Sequence, residues 1–304
     1  MGRVVAVVSE VKAQESPDDV AAALDALRAH AAVDVERVAG DDHLRAVLDG
    51  EPERLVVLGG DGSVHRLVQV MHDRRRAGTE RDAAVAVALL PLGTGNDLAR
   101  GVGVPLDVPA AARLAVRGAA RPMAVLLDDE EQVVVNAAHV GVGAAAARTA
   151  EEAASTKSVL GGAAYSAAAV VAGLRTRGWH LRVRVDGREV HDGGQRLLMV
   201  AVGLGRTIGG GAPVAPNADP FSGRAQVTVS RSTGWAARLA YAAALRHGRH
   251  HVRQDVTGVE AHDTVEVSAV GDDAFSVDAD GELSDPVAQR TWRVVPEAWS
   301  IVAP

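Results

Sequence analysis

Two glycine-rich segments of this chain carry the residue types that hold phosphate groups. Residues 55–66 read LVVLGGDGSVHR and residues 89–100 read LLPLGTGNDLAR, so each runs from an apolar stretch through glycines and an aspartate into a helix start. Glycines let backbone N–H groups approach a phosphate closely, and the following helix adds its positive dipole end. The two segments together predict a nucleotide-phosphate site.

Asp61 and Asp97 lie where a magnesium ion would need oxygen ligands. Mg²⁺ takes one or two protein carboxylates together with phosphate oxygens and water, so two aspartates in glycine loops suit it. The P-loop pattern GxxxxGK[ST] does not occur, and a Rossmann dinucleotide fingerprint is not convincing. Each loop taken alone is also typical of an ordinary strand-to-helix turn, an alternative that the occurrence of two such loops weakens.

An acidic turn late in the chain is the candidate for proton transfer. Asp278, Asp280 and Glu282 surround Gly281 at the end of a strand-like run. A carboxylate near other carboxylates, or half-buried in a cleft, has its proton affinity raised, which suits a general base that takes a hydroxyl proton. An Asp-Gly hairpin turn is the alternative interpretation.

Two further glycine segments lie in the second half. Residues 209–211 are three consecutive glycines whose backbone can approach a ligand or another domain, although this segment alone favours a strand-end loop. Residues 136–144 read NAAHVGVGA, which indicates either a strand leaving through two glycines or a strand packed closely at its end.

Composition limits the functional classes. The chain has 304 residues with 47% hydrophobic content, enough for two domains with a substantial core in each. A net charge of −7 argues against a nucleic-acid partner. There is no cysteine, which fits a cytoplasmic protein. The first apolar stretch is too short for a signal peptide, and the longest uncharged stretch, residues 158–174, falls short of the roughly 20 apolar residues of a membrane span.

The elements that must position these residues are of two kinds. From residue 3 to about 120, β-rich runs alternate with amphipathic helical patterns, which is typical of a parallel sheet with ligand loops at its carboxyl edge. The predicted strands here cover residues 4–8, 33–38, 55–58 and 85–90. After residue 121, runs separated by Gly and Asp turns predict an antiparallel β-sandwich. These runs cover residues 133–138, 181–186, 197–202, 225–230, 264–270 and 275–278, with helices near 150–176 and 234–247.

The resulting domain prediction is an α/β domain over residues 1–121 and an all-β sandwich domain over residues 122–290. The junction is short and no low-complexity linker separates the two. A cleft between the two domains is therefore the expected nucleotide site.

The ordered motifs resemble the diacylglycerol kinase catalytic-domain superfamily, which includes bacterial diacylglycerol and other lipid kinases, sphingosine kinase and ceramide kinase. The segments that carry the resemblance are GGDGS at 59–63, PLGTGNDLAR at 91–100, NAAHVGVG at 136–143, GGGAPVAPNA at 209–218, DGE at 280–282 and VVPEAWSIVAP at 294–304. GGDG alone is shared with NAD kinases. GGDG followed by GTGND and a late DGE is more particular.

The resemblance implies a Rossmann-like domain and a β-sandwich that enclose ATP, with the chain's end, about residues 290–304, returning to the first domain. It implies Mg²⁺ as a cofactor, held near Asp61 and Asp97, and Asp280 as the base with Glu282 beside it. The implied nucleotide-binding residues are Gly59, Gly60, Asp61, Gly62, Ser63, Gly93, Thr94, Gly95 and Asn96.

Two departures from the family pattern keep alternatives open. Residues 9–13 replace an Asn-Pro-x-x-Gly loop, and Ser222 with Gly223 replaces an Asp-Gly pair that helps a structural metal site. The predicted function is an ATP-dependent lipid kinase that acts on diacylglycerol or a related lipid. The alternatives are a non-catalytic pseudokinase that binds nucleotide or lipid, and an NAD or small-polyol kinase.

The predicted partner is a lipid substrate met during transient membrane contact. The chain would then be cytoplasmic and peripheral at the membrane, and this contact would rest on Trp179, Trp235 or the basic loop near Arg246. The sequence leaves the oligomeric state open, with a homodimer as one option.

Overall fold

The fold is given by a computed structural model that describes residues 3–79, 81–142, 144, 177–246 and 248–304. The helix expected near residues 150–176 lies outside the described residues. Among the helices of the described ranges, none combines the length and the apolar character that crossing a bilayer demands.

The first half alternates strands with helices, and all four predicted strands are present. In chain order the elements are β1 (Val4–Ser9), α1 (Glu10–Glu15), α2 (Pro17–Arg28), β2 (Asp34–Val38), α3 (Asp41–Asp49), β3 (Arg54–Gly59), α4 (Asp61–Arg76), a 3₁₀ turn (Arg81–Ala84), β4 (Ala86–Pro91), α5 (Asp97–Val102) and α6 (Val108–Arg117). Strands β1, β3 and β4 are apolar and buried almost throughout. A parallel sheet covered by helices on both faces requires such strands.

Strands β2, β1, β3 and β4 lie side by side in that order, and all are parallel. Gly59 at the end of β3 is in register with Pro91 at the end of β4. The two glycine loops therefore leave the sheet as immediate neighbours at its carboxyl edge.

The second half is almost entirely β structure. Its elements are β5 (Ala119–Asp128), β6 (Val133–Val134), β7 (Ala137–Gly141), β8 (Trp179–Val185), β9 (Arg188–Leu197), β10 (Met199–Gly203), β11 (Ala225–Ser230), the helix Trp235–Arg246, a 3₁₀ turn (His250–Val252), β12 (Val256–Ala261), β13 (Thr264–Ala269), β14 (Val277–Ala279), β15 (Glu282–Leu283) and β16 (Gln289–Ala303). Six of these strands form an antiparallel sheet in the order β12-β11-β10-β7-β14-β15.

The remaining strands of the second half continue the first sheet. Beyond β4 the order is β16-β13-β8-β9, and β5 pairs with β16. Strand β8 shows the alternation of a sandwich strand, with Leu181, Val183 and Val185 buried between exposed arginines. The predicted fold class, an α/β domain with a mostly parallel sheet followed by an antiparallel β-sandwich, is confirmed.

Strand β16 takes part in both halves. Its Ser300 pairs in parallel with Ala86 of β4, and it also pairs antiparallel with β5 over nearly its whole length. Trp292 is buried in the core of the sandwich, whereas Trp299 and Ile301 are buried in the core of the α/β half. One strand thus connects the two cores.

Two predicted strands are divided in the structure. The run 133–138 separates into β6 and β7, because the N–H groups of Val135 and Asn136 donate to the Asp280 carboxylate instead of a neighbouring strand. The run 197–202 separates at Leu198, where β9 ends and β10 begins. Strands β9, β12 and β16 were not predicted, because polar residues interrupt their apolar pattern. Strand β5 was also not predicted, although its residues 123–127 form a continuous buried apolar run.

Candidate functional site

The two glycine loops touch through their backbones. The N–H of Leu92 donates to the carbonyl oxygen of Gly59 at 2.9 Å. A Cβ atom placed on Gly93 would lie 2.6 Å from the Cα of Gly60, and one placed on Gly60 would lie 3.0 Å from the Cα of Gly93. Glycine is therefore required at both positions by the close approach of two chain segments.

Asn96 fixes the shape of the second loop. Its φ of 53° lies in the left-handed region, which asparagine tolerates better than most residues. Its side-chain Oδ1 accepts a hydrogen bond from the N–H of Gly93 at 3.2 Å, and its Nδ2 donates to the carbonyl of Gly93 at 2.7 Å. Both polar atoms of the amide are thus engaged in closing the loop onto itself.

Asp61 ties the first loop to the second. Its carboxylate accepts hydrogen bonds from the N–H groups of Asp97 at 2.9 Å and Leu98 at 3.0 Å, at the start of α5. Burial raises the pKa of Asp61, and the charges of Asp97 and Asp280 raise it further against the two N–H donors. A carboxylate crowded by other carboxylates favours a nearby cation.

Asp97 accepts a hydrogen bond from the third glycine segment, residues 209–211. The N–H of Gly210 donates to Oδ2 of Asp97 at 2.7 Å, while Oδ1 is buried with no hydrogen-bond partner in the described ranges. The three glycines at 209–211 have φ values of 59°, 84° and 117°, a run that L side chains rarely adopt. The backbone of residues 209–211 therefore approaches the α/β half closely. This is the interpretation in which the glycines let the segment approach another domain.

The side of the first loop that faces away from the sheet is open. A Cβ on Gly62 would meet no heavy atom of the described residues within 4 Å, and the same holds for Gly209 and Gly211. The cap residue of the 16-residue helix α4 is Gly60, which offers no side-chain hydrogen bond to the first turn. The N–H groups of Ser63 and Val64 donate to the carbonyl of Gly60, so the N–H groups of Asp61 and Gly62 are the ones that this uncapped helix start can direct at a phosphate group.

The other predicted nucleotide residues differ in exposure. Ser63 packs against Gly59, since a Cβ on that glycine would lie 2.4 Å from the serine Oγ. Thr94 is exposed, and a Cβ on Gly95 would lie 3.4 Å from Oδ2 of Asp61 and 3.5 Å from Oδ2 of Asp97. Gly95 thus lies between the two carboxylates.

These two carboxylates fit a magnesium ion that completes its coordination with other ligands. Asp97 offers a buried oxygen that no described residue contacts by a hydrogen bond, and each oxygen of Asp61 accepts one hydrogen bond and retains a second lone pair. No group of three or more His, Cys, Asp or Glu side chains among the described residues could hold a metal. A cation here would need phosphate oxygens and water as well.

Asp280 occupies a tight hairpin turn and points inward. Asp280 and Gly281 have φ values of 51° and 93°, the pattern of a two-residue hairpin turn between β14 and β15. The Asp280 side chain is only 1% exposed. It accepts hydrogen bonds from the N–H groups of Val135 at 2.7 Å and of Asn136 and Ala137 at 3.0 Å each. The hairpin interpretation holds, and the turn also places a carboxylate inside the molecule.

A histidine that sequence reasoning missed completes this group. Nδ1 of His65, in the second turn of α4, lies 3.0 Å from Oδ2 of Asp280. Burial of the ring opposes its protonation, but the hydrogen bond and charge of Asp280, together with the charge of Glu282, raise the pKa of His65. The two residues are 215 positions apart, so no local pattern could have paired them.

The carboxylates of Asp278, Asp280 and Glu282 lie in three different environments. Asp278 accepts a hydrogen bond from the N–H of Gly281 at 3.0 Å and lies 3.6 Å from Nε2 of His139. Burial lowers the pKa of that histidine. Glu282 is exposed. Of the three, Asp280 alone is enclosed between the two halves.

The departures at residues 9–13 and at Ser222 have local structural roles. Ser9 caps the short helix α1, with its Oγ accepting a hydrogen bond from the N–H of Lys12 at 3.1 Å. The Ser222 hydroxyl donates to the carbonyl of Asp219 at 2.7 Å.

Comparison with known families matches both halves of the chain. The diacylglycerol kinase catalytic domain matches residues 5–127, and the YegS C-terminal NAD kinase beta sandwich-like domain matches residues 136–303. The second match alone covers more than half of the chain.

One sequence relative and two solved structures are similar to this chain over most of its length. A diacylglycerol kinase of Mycobacterium tuberculosis (strain ATCC 25618 / H37Rv) is 29% identical over 285 residues, which cover 90% of this chain and 86% of that protein. The crystal structure of a diacylglycerol kinase from Bacillus anthracis str. Sterne superposes with a TM-score of 0.69 at 21% identity, covering 99% of this chain and 97% of that one. An NAD kinase from Archaeoglobus fulgidus, solved in complex with ATP, has a TM-score of 0.50 at 16% identity, covering 98% and 93%. At these identities the two structures establish the fold alone.

Proposed function

We propose that this chain, which belongs to the diacylglycerol kinase catalytic-domain family, is an ATP-dependent lipid kinase. It transfers the γ-phosphoryl group of ATP to a hydroxyl group of a lipid, diacylglycerol or a close relative. The observation that carries the proposal is the convergence of three parts. These parts are the open glycine backbones, the pair Asp61 and Asp97, and the enclosed Asp280. They lie where the two halves meet: Gly210 donates a hydrogen bond to Asp97, and the charge of Asp280 raises the pKa of Asp61.

Phosphoryl transfer needs positioning and charge neutralisation more than covalent help from the protein. In the proposed assignment, N–H groups around Gly60 and Gly62 hold the nucleotide phosphates, with Gly93, Thr94, Gly95 and Asn96 lining the site. Asp61 and Asp97 hold Mg²⁺. Bound Mg²⁺ would supply positive charge to the phosphate oxygens.

The proton-transfer part of the reaction is assigned to Asp280 of the acidic turn and the groups around it. The acceptor hydroxyl must lose its proton as its oxygen attacks phosphorus, and a positioned base near the attacking oxygen speeds this step. Asp280 is the enclosed carboxylate on this side of the site, and Glu282 adds negative charge near it.

A lipid acceptor requires contact with a bilayer or a micelle. The helix Trp235–Arg246 supports this, because it buries Arg238 and Tyr241 while its Trp235 is 76% exposed and its Leu239 is 47% exposed. Exposed apolar side chains one helical turn apart are suited to brief insertion at a lipid surface. Because ATP is the phosphoryl donor, we place the reaction at the cytoplasmic face of a membrane.

The test is transfer of labelled γ-phosphate from Mg-ATP into a detergent-dispersed total lipid extract, with products separated by head group and Asp280→Asn assayed alongside. Labelled lipid from the wild type and none from the variant supports the proposal, and the product identifies the acceptor class. Label in NAD or a soluble polyol with none in lipid would replace the lipid by that acceptor. Nucleotide or lipid binding without transfer to any acceptor would indicate a binding protein.

A further inference from the structure

We infer that His65 is the residue that contacts the acceptor hydroxyl and takes its proton, and that Asp280 is the positioning residue that orients its ring. This inference rests on the proposed lipid kinase function and assigns the proton acceptor within it. Three observations carry it: the saturation of Asp280, the orientation of the ring, and the difference in exposure between the two side chains.

Asp280 has no free acceptor site. An ionised carboxylate has about four lone-pair positions. Oδ1 accepts from the N–H groups of Asn136 and Ala137, while Oδ2 accepts from the N–H of Val135 and faces Nδ1 of His65. Since its side chain is 1% exposed, a substrate hydroxyl could bond to Asp280 only by displacing one of these four partners.

The same contacts fix the histidine ring. Backbone N–H donors on both oxygens identify Asp280 as the acceptor, so Nδ1 of His65 carries the proton between the two residues. In the neutral ring Nε2 is then the acceptor. Among the described residues, the hydrogen bond of the ring is made through Nδ1, which leaves Nε2 for an acceptor hydroxyl.

Exposure distinguishes the two members of the pair. The His65 side chain is 11% exposed against 1% for Asp280. A hydroxyl group entering from solvent therefore meets the imidazole before the carboxylate. His65 also follows Asp61 by one helical turn on α4, which places the ring beside the proposed metal and phosphate side.

The charges around the ring suit a base that works near neutral pH. Asp280 from the hairpin turn and Glu282 from β15 raise the pKa of His65, and burial partly offsets them. On its own helix the nearest acidic residue is Asp61, one turn earlier. A base is most effective when its pKa lies close to the working pH.

The proton-transfer step balances without another reactant. The hydroxyl oxygen forms a bond to the γ-phosphorus while the bond from that phosphorus to the ADP oxygen breaks. The hydroxyl proton moves to Nε2, and Asp280 stabilises the resulting imidazolium through Nδ1. The proton leaves to solvent after the products depart.

The chain offers a matched control on the same helix. His72 lies two turns beyond His65, and its Nε2 is 3.1 Å from a carboxylate oxygen of Glu131. It too is a largely buried histidine paired with an acid, with 15% of its side chain exposed. A loss caused merely by removing a buried histidine–carboxylate contact from α4 would appear in both variants.

The experiment compares His65→Gln and His72→Gln with the wild type, using the lipid acceptor that the wild type phosphorylates. For His65→Gln we expect kcat to fall about 10²–10⁴-fold while calorimetry with Mg-ATP gives the wild-type affinity. The wild-type kcat should rise with pH through one ionisation and then level off, and His65→Gln should lose this rise. His72→Gln should retain both the rate and the pH profile.

An NMR titration tests the pair without any turnover. The His65 imidazole, assigned by its loss in His65→Gln, should titrate above the ordinary histidine value of 6.5. Asp280→Asn should lower this pKa, because it removes the hydrogen bond and charge that raise it. A His65 that titrates identically with and without the Asp280 charge would overturn the inference.

The outcomes separate this inference from the proposed function. If His65→Gln keeps the wild-type kcat and pH profile while Asp280→Asn is inactive, the inference is wrong and Asp280 itself is the base. If the wild type labels no lipid, the proposed function fails and His65 loses its role with it.

Discussion

At the glycine loops, residues 59–63 and 93–97, backbone groups stand open beside the ends of parallel strands, whereas at the Asp280 turn both carboxylate oxygens are already filled. The contacts that join the loops link residues 36 positions apart, from Asp61 to Asp97. Those that hold Asp280 span 144 positions to Asn136 and 215 to His65. The first two glycine loops are brought together by one sheet edge, and the second half adds only the backbone of Gly210 to them. The pair of Asp280 and His65, which we call the proton side, forms only where the two halves meet.

The largest expected effect is on the proton side. Asp280→Asn places an amide N–H₂ against backbone N–H donors and removes the charge that orients His65, so we expect kcat to fall about 10²–10⁴-fold. The affinity for Mg-ATP should stay near the wild-type value, because the described hydrogen bonds that shape the two glycine loops are made by Asp61 and Asn96 and not by Asp280. Equal losses in kcat and in nucleotide affinity would mean that the two regions are not separable.

The matching change on the phosphate side is Asp61→Asn. Its amide can accept only one of the two N–H groups at the start of α5, and the charge facing a cation is lost. We expect the Mg²⁺ concentration for half-maximal activity to rise about 10–100-fold. Excess Mg²⁺ should restore much of the rate. A variant that Mg²⁺ cannot rescue, with normal folding, would remove Asp61 from the metal site.

A smaller effect is expected where the two loops touch. Gly93→Ala places a methyl group against the backbone of Gly60, and such overpacking costs about 1–3 kcal/mol. Urea unfolding should show this loss, together with weaker ATP binding. The control is Gly101→Ala in α5, where a Cβ would meet no atom of the described part of the chain within 4 Å and helix propensity favours alanine. Equal stability of the two variants would contradict the close contact.

The smallest effect is expected at the exposed acid of the turn. Glu282→Gln removes a charge that raises the pKa of His65, so the rise of kcat with pH should move to slightly lower pH. The plateau rate should remain that of the wild type. Added salt should abolish the difference, because an exposed charge is screened. A large loss of plateau rate would place Glu282 in contact with the reacting groups.

Sequence reasoning predicted the phosphate side better than the proton side for a physical reason. Apolar strands followed by glycines and an aspartate are local signals, and parallel pairing brings them to one edge. The same reasoning found the Asp280 turn as both a hairpin and a candidate base. It could not find His65, because helix spacing alone gives a buried histidine no partner.

Long-range pairing also explains the strands that were missed. Strand β16 contains charged residues and Pro296, and its pattern becomes regular only when its two ends are assigned to different cores. Strand β9 has two adjacent glycines and several charges, which obscure the alternation of its buried residues. These strands are stabilised by neighbours distant in sequence, which single-sequence patterns do not contain.

Strand β16 also affects how the protein folds during its synthesis. Because β4 pairs with residues near Ser300, its outer edge stays unpaired until β1 to β15 have all been synthesised. An unpaired edge of apolar strand is a site for misassembly while a nascent chain waits. The α/β half, although encoded first, therefore completes its sheet only after β16 has been translated.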